Sequence, residues 1–237
     1  MLDLQELDLQ LDQVAHKRST LPELAALQDL ARQRASTDRD LVTVETEVGD
    51  LQREQRKADA DVEQVKTRRT RDQERLDNGR VTSPKDLESL QHEIVSLDRR
   101  ISDLEDAELE VMEKLETAEG RLAELRTQAA EFAGRQGELE AGRDAATKDL
   151  DDQRTVLTER RTGVAAELPA DLVTTYTKLR ERLGGIGVGE LVGKSCMGCR
   201  MELNPADLST IAAAPPDAVL RCEECGRILV RTSNSGV

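Results

Sequence analysis

Aromatic residues are almost missing from this chain: its 237 residues include one Phe, one Tyr and no Trp. A globular core of ordinary build draws much of its buried area from aromatic rings, so most of the chain must be held together in another way. Histidine is scarce as well, with only His16 and His92, which thins the choice of general bases and imidazole ligands. No apolar run approaches the ~18 residues a membrane-crossing helix requires, so no membrane partner is expected. Residues 1–5 have neither a positive n-region nor an apolar stretch, so no secretory signal is expected and a cytoplasmic location is. Charge is what the chain has instead: 35% Asp, Glu, Lys and Arg, with a formal net charge of −14. Such a composition also describes disorder, and only periodicity separates the two.

Periodicity is present. Leu87, Leu90, Ile94, Leu97, Ile101 and Leu104, then Val111, Leu115, Ala118, Leu122, Leu125, Ala129 and Phe132, step by three and four, with Glu108 the one polar occupant of the seam. That is a heptad repeat, the mark of a coiled coil. Residues 41–76 keep the same phase through Leu41, Val44, Val48, Leu51, Val62, Val65 and Leu76, and a thinner version opens the chain at Leu4, Leu7, Leu11 and Val14. The two blocks meet at 77–84, where Asn78-Gly79 stops one helix and Ser83-Pro84 starts the next. Pairing Leu76 with Leu87 puts Leu41 near Leu122, so the arms fold back as an antiparallel hairpin. One long helix dimerising in parallel is the alternative, disfavoured by a midpoint break with cap chemistry at both ends. Pro22 should break or kink the first arm, and Gly120, Gly134, Gly137 and Gly142 should loosen the second. The fold class expected is mainly α: a long kinked antiparallel coiled-coil hairpin over 1–165 with its tip near 77–84, a short helix and Gly-rich connector over 166–189, and a small β zinc ribbon over 190–237. The connector helix carries Leu172, Tyr176, Leu179 and Leu183 on one stripe, and Tyr176 should anchor it between hairpin and ribbon.

The ribbon rests on four cysteines. Cys196-Met-Gly-Cys199 and Cys222-Glu-Glu-Cys225 are two C-x2-C turns with 22 residues between them, slightly longer than the usual ~15–20. Each turn can aim two thiolates at one ion, and two turns complete a tetrahedral S4 site. Disulfides are the competing reading, and a reducing cytosol favours metal. Four thiolates leave no position for water, so one structural Zn2+ is expected, with Cys196, Cys199, Cys222 and Cys225 as ligands. Gly198 and Gly226 are placed where such turns need backbone freedom. Short β runs flank the turns, and Asn204-Pro205 opens a helix between them as N-cap and N1. A module of about 45 residues has too little core of its own, so metal binding would supply much of its folding free energy.

Enzyme readings fail on the residues. Gly193-Lys194-Ser195 resembles the end of a P-loop, yet Val188 stands where the required glycine should be. The acidic pairs on the coil are solvated faces, and no nucleophile, general base or open metal position stands out. Binding readings depend on the charge map. Residues 101–151 hold 15 Asp/Glu against 6 Lys/Arg, whereas 64–100 hold 9 Lys/Arg against 7 Asp/Glu. Lys66, Arg68, Arg69 and Arg71 near the tip, with Lys194, Arg200, Arg221 and Arg227 at the ribbon, are the candidate contacts to a protein partner or to nucleic acid. The ribbon lacks aromatics for stacking bases, and residues 190–237 balance 5 basic against 6 acidic side chains, so no coherent positive field is expected there. The reading is a non-catalytic adapter or regulator that binds protein partners through ribbon and hairpin; a DNA- or RNA-binding regulator is the alternative.

Thr82-Ser-Pro-Lys-Asp-Leu-Glu-Ser-Leu-Gln-His-Glu-Ile94, Leu168-Pro-Ala-Asp-Leu, Tyr176 and the two cysteine turns with Gly226-Arg-Ile-Leu-Val230 together resemble the bacterial C4-type zinc ribbon family with a coiled-coil hairpin, in its actinobacterial branch. The resemblance spans essentially the whole chain. It implies a kinked hairpin with a C-terminal ribbon, the four cysteines as zinc ligands, and partners in transcription or secretion machinery, with messenger RNA bound in one case.

Overall fold

The computed structural model describes residues 1–236, and the chain divides into two compact units, Met1–Ala25 with Leu139–Val237, and Ala26–Glu138. Its elements in order are α1 (Leu2–Ser19), α2 (Pro22–Asp77), α3 (Pro84–Ala166), α4 (Ala170–Arg182), β1 (Val188–Val192), β2 (Ser195–Cys196), β3 (Met201–Glu202), α5 (Pro205–Ala213), β4 (Leu220–Arg221) and β5 (Ile228–Arg231).

In the unit Ala26–Glu138 the heptad residues meet as expected. Val44, Val48, Leu115, Ala118 and Leu122 are buried together, with Leu41, Leu51 and Leu125 packed against them. Polar ties across the seam rise in number on α2 as they fall on α3: Thr37 donates to Gln128 at 3.2 Å, Arg126 pairs with Glu45 at 3.0 Å, and Lys66 with Glu105 at 2.7 Å. Only an antiparallel pair orders its contacts this way. The turn between the helices uses Gly79 at φ 61°, a left-handed conformation an L side chain would strain, and Leu87 donates its N–H to the Ser83 carbonyl at 3.0 Å to open α3. Glu108, the polar seam residue, is held by a hydrogen bond with Asp59, which together with burial raises its carboxyl above the usual range.

Pro22 acts as expected: α1 ends at Ser19 and α2 begins at Pro22. The glycines of the second arm leave the helix unbroken: α3 continues through Gly120, Gly134, Gly137 and Gly142. Their propensity cost of ~1 kcal/mol each is spread over a helix of 83 residues.

The other unit has two cores that share one pair of strands. Its sheet has the order β3-β2-β1-β5-β4, with β1 and β5 parallel and the other pairs antiparallel. Side chains alternate across a strand, so Val188 and Ile228, paired in register, face Leu4, Tyr176 and Leu179 of the helices. Leu191 and Leu229 face the opposite way, into a core with Cys196, Leu203, Ile211 and Cys222. β1 is therefore the centre of the sheet.

Buried polar groups fix the helices to this sheet. Tyr176, fully buried, donates its hydroxyl to Asp8 at 2.7 Å, and Arg161 donates to the same carboxylate at 2.6 Å. Gln5 accepts from the Gly187 N–H at 2.7 Å and donates to the Gly185 carbonyl at 2.9 Å. Polar groups this deep are tolerated because each has its partners.

Two outcomes follow. Cysteines placed at Leu41 and Leu122 should crosslink within one chain, read as a monomeric mass on a denaturing gel; crosslinking only between chains would indicate a parallel dimer. Burial, then the hydrogen bond to Asp8, raises the Tyr176 phenol well above its ordinary value. The folded-state pKa exceeds the unfolded one, so this stabilisation is whole below pH ~10 and declines as pH rises beyond it. Denaturant titrations should show Tyr176→Phe flattening that alkaline decline, at a cost of about 1–3 kcal/mol for removing one donor to buried Asp8.

Candidate metal centre

The first cysteine turn leaves β2 and the second follows β4, so the sheet carries both to one place. The four Sγ atoms lie within 4.8 Å of one another, and those of Cys199 and Cys222 are 3.9 Å apart. A sulfur–sulfur bond is ~2.05 Å long, and all four cysteines are free. Zinc at ~2.3 Å from four tetrahedral sulfurs places neighbouring sulfurs ~3.8 Å apart. The cluster fits one ion. Zinc there would supply cross-linking between the two turns, with no site left for substrate or water.

The two turns are built alike. Arg200 donates its N–H to the Cys196 carbonyl at 2.7 Å, and Gly226 donates to the Cys222 carbonyl at 2.8 Å. Both donors, four residues after the first cysteine of their turn, have left-handed backbone: φ 61° for Arg200 and 71° for Gly226. Gly226 matches the expectation from sequence. Gly198 does not, because the left-handed residue of the first turn is Arg200. Gly198 is instead required by close packing: a Cβ there would sit 2.8 Å from Cδ of Arg227, and one on Gly189 would sit 2.6 Å from the Gly198 nitrogen. Sequence could not indicate that approach, since it joins β1 to the first turn through tertiary contact.

Burial sets the thiol chemistry. It raises Cys196 and pushes Cys222 up to about 12. Burial would raise Cys225 too, but its hydrogen bonds from the Arg227 backbone and guanidinium, and from Cys222 and Cys199, bring it down to about 7. Cys225 therefore ionises more readily than Cys196 or Cys222, and metal binding must expel protons from that deeper pair.

The basic candidates separate by location. Lys66 pairs with Glu105 at 2.7 Å, Arg69 with Asp98 at 2.9 Å, and Arg68 with Glu93. Arg71 leans on buried Asp72 at 3.9 Å. Arg227, expected to reach outward, turns inward: it donates to the Ile186 carbonyl at 2.9 Å and to Leu183 at 3.1 Å, satisfying backbone acceptors in the segment that follows α4. Arg231 does the same for α5, donating to Ile211 and Ala214 at 2.8 Å each. Lys194, Arg200 and Arg221 stay exposed, with no side-chain ion pair among the described residues. His16 and His92 are both exposed and far in sequence from the cysteines.

Fold and site together define a helical hairpin carrying a C4 zinc ribbon. Residues 4–184 match the CT398-like coiled coil hairpin domain, and residues 195–229 match the C4-type zinc ribbon domain. The chain belongs to this family. An uncharacterized protein of Mycobacterium tuberculosis is 37% identical over 238 residues, covering 98% of this chain and 94% of its own length. A solved structure from Mycobacterium smegmatis is similar at TM-score 0.82 and 33% identity, covering 96% of this chain and 94% of the other. CT398 from Chlamydia trachomatis shares the fold at TM-score 0.69 and 17% identity, over 98% of this chain and 95% of its own. Among the described residues no helix is long and apolar enough to cross a membrane.

Mass spectrometry of the native protein should find one zinc per chain, absent in Cys222→Ser. Zinc binding should tighten as pH rises, and calorimetry in buffers of different ionisation heat should show proton release that declines as Cys225 passes its titration near 7. Gly189→Ala should destabilise the ribbon by about 1–3 kcal/mol through overpacking, read as easier zinc loss to a chelator while the helical circular dichroism persists.

Proposed function

We propose that this chain is a non-catalytic cytoplasmic adapter or regulator whose zinc ribbon, with the hairpin, binds protein partners. The observation that carries the reading is the surface of the first cysteine turn. Met197 and Met201 are 51% and 53% exposed, and between them stands Arg200, the one non-glycine residue with positive φ among the described residues. Left-handed backbone costs a side-chain-bearing residue roughly 1–2 kcal/mol, and such strain is characteristic of functional positions. Methionine beside arginine suits a protein surface, because one adapts its shape and the other supplies a charged fork. The closed S4 geometry and the relatives' family support a role without catalysis.

Lys194, Arg200 and Arg221 also support the second reading, nucleic-acid binding, since their charges are unspent. Three exposed cations beside Glu223 and Glu224 make a small field, and the tip cations are already paired. Direct phosphate binding needs more.

Affinity capture from the native host with zinc-loaded protein, in parallel with Met197→Asp/Met201→Asp, tests the first reading. A protein retained by the wild type and lost with the variant, at equal zinc content, is the expected result. A gel-shift series tests the second: binding that weakens with salt and with Arg200→Ala and Arg221→Ala would replace the first reading.

A further inference from the structure

The outer stripe of α3 within the unit Ala26–Glu138 is not used by the seam with α2. On it Val95 is 51% exposed, Leu109 56% and Met112 42%, in a helix whose exposed positions are otherwise mainly charged. Single exposed apolar side chains are common and need no explanation. These share a stripe: Val95, Ser102 and Leu109 follow one another at heptad spacing, each one position after the seam residues Ile94, Ile101 and Glu108. Ser102 is small, exposed and midway between the two apolar residues. Charge along the stripe is ordered as well. Arg99 lies on the Val95 side of Ser102, and Asp106, Glu110 and Glu113 lie on the Leu109 side, with Asp103 at the edge of the stripe beside Ser102, all exposed.

An order that is apolar–basic–small–acidic–apolar is complementary to itself when reversed. We propose that this stripe is a self-association surface, on which a second copy of the chain packs α3 against α3 antiparallel, about a twofold axis through Ser102. A twofold interface is isologous, so residue i meeting j requires j to meet i. With Ser102 on the axis, Val95 of one copy packs on Leu109 of the other, and the reverse contact forms at the far end. Arg99 then meets Asp106, and that pair also forms twice. Asp98 would lie near Asp106 of the second copy, but Arg69 on α2 already neutralises it at 2.9 Å. Glu105 is likewise held by Lys66 at 2.7 Å. These intrachain pairs take the two stripe acids nearest α2 out of the repulsion and leave Asp106 for Arg99. The contact zone from His92 to Met112 is about 30 Å long at 1.5 Å per residue. A single helix face of that length, with few large side chains, makes a weak dimer governed by concentration.

Sedimentation equilibrium on the full zinc-loaded chain tests the proposal, with circular dichroism as the folding control. The wild type should show a reversible monomer–dimer equilibrium. Leu109→Glu, an exposed site that leaves the seam untouched, should weaken it by about tenfold or more, because the lost contact occurs twice. Arg99→Glu should weaken it too, and the swap Arg99→Glu/Asp106→Arg should restore it, which a merely structural role for either residue would not produce. Ser102→Cys should crosslink two chains through a short bismaleimide. A chain that stays monomeric at every concentration overturns the proposal. So does a dimer that is indifferent to Leu109→Glu and not captured through Ser102→Cys, since it would use another face.

Discussion

Four thiolates converging on one ion is the constraint on which the head of this protein depends. Cys196 and Cys222 are members of the cysteine cluster and core residues at once, buried with Leu191, Leu203, Ile211 and Leu229. Their carbonyls accept the hydrogen bonds that close the two turns. Without a metal the same arrangement would bury thiols whose ionisation is opposed by their surroundings, in a core too small to hold itself. Zinc ligation, turn closure and the apolar core therefore form together.

The strands β1 and β5 carry that constraint outward. One face of the pair belongs to the zinc-side core and the other, through Val188 and Ile228, to the helices. Arg227 reinforces the connection from just after the second turn, reaching the carbonyls of Leu183 and Ile186 that follow α4. Gln5 grips the same connector from α1. The ribbon is thus fastened to its helical base by backbone acceptors and donors as much as by apolar area. The Arg227 link explains why that arginine is not available at the surface.

A different economy governs the unit Ala26–Glu138. Its seam is aliphatic and narrow, and its flanks are crossed by ion pairs that individually contribute little in water. Their main effect is on specificity: they set which acidic and basic side chains remain unspent. At the tip most candidate cations are absorbed in this way. On the outer stripe of α3, Arg99 and the acids beyond Ser102 are not.

Much of this was legible in the sequence because local rules decided it. The heptads, the Asn78-Gly79 stop, the Pro22 break, the Asn204 cap and the two C-x2-C turns each depend on neighbours within a few residues. Antiparallel pairing followed too, since a short turn leaves two long amphipathic helices one way to bury their seams. Tertiary structure decided what required distant partners. Gln5 and Asp8 look like solvated helix residues until Gly187, Arg161 and Tyr176 arrive from more than 150 positions away. Gly189 and Gly198 are ordinary turn residues until β1 brings their backbones together. The parallel β1–β5 pair and the inward turn of Arg227 belong to the same class. Spacing along the chain encodes helices, turns and ligand pairs, whereas the partner of a buried polar group or a missing Cβ is known only when the chain has closed around it.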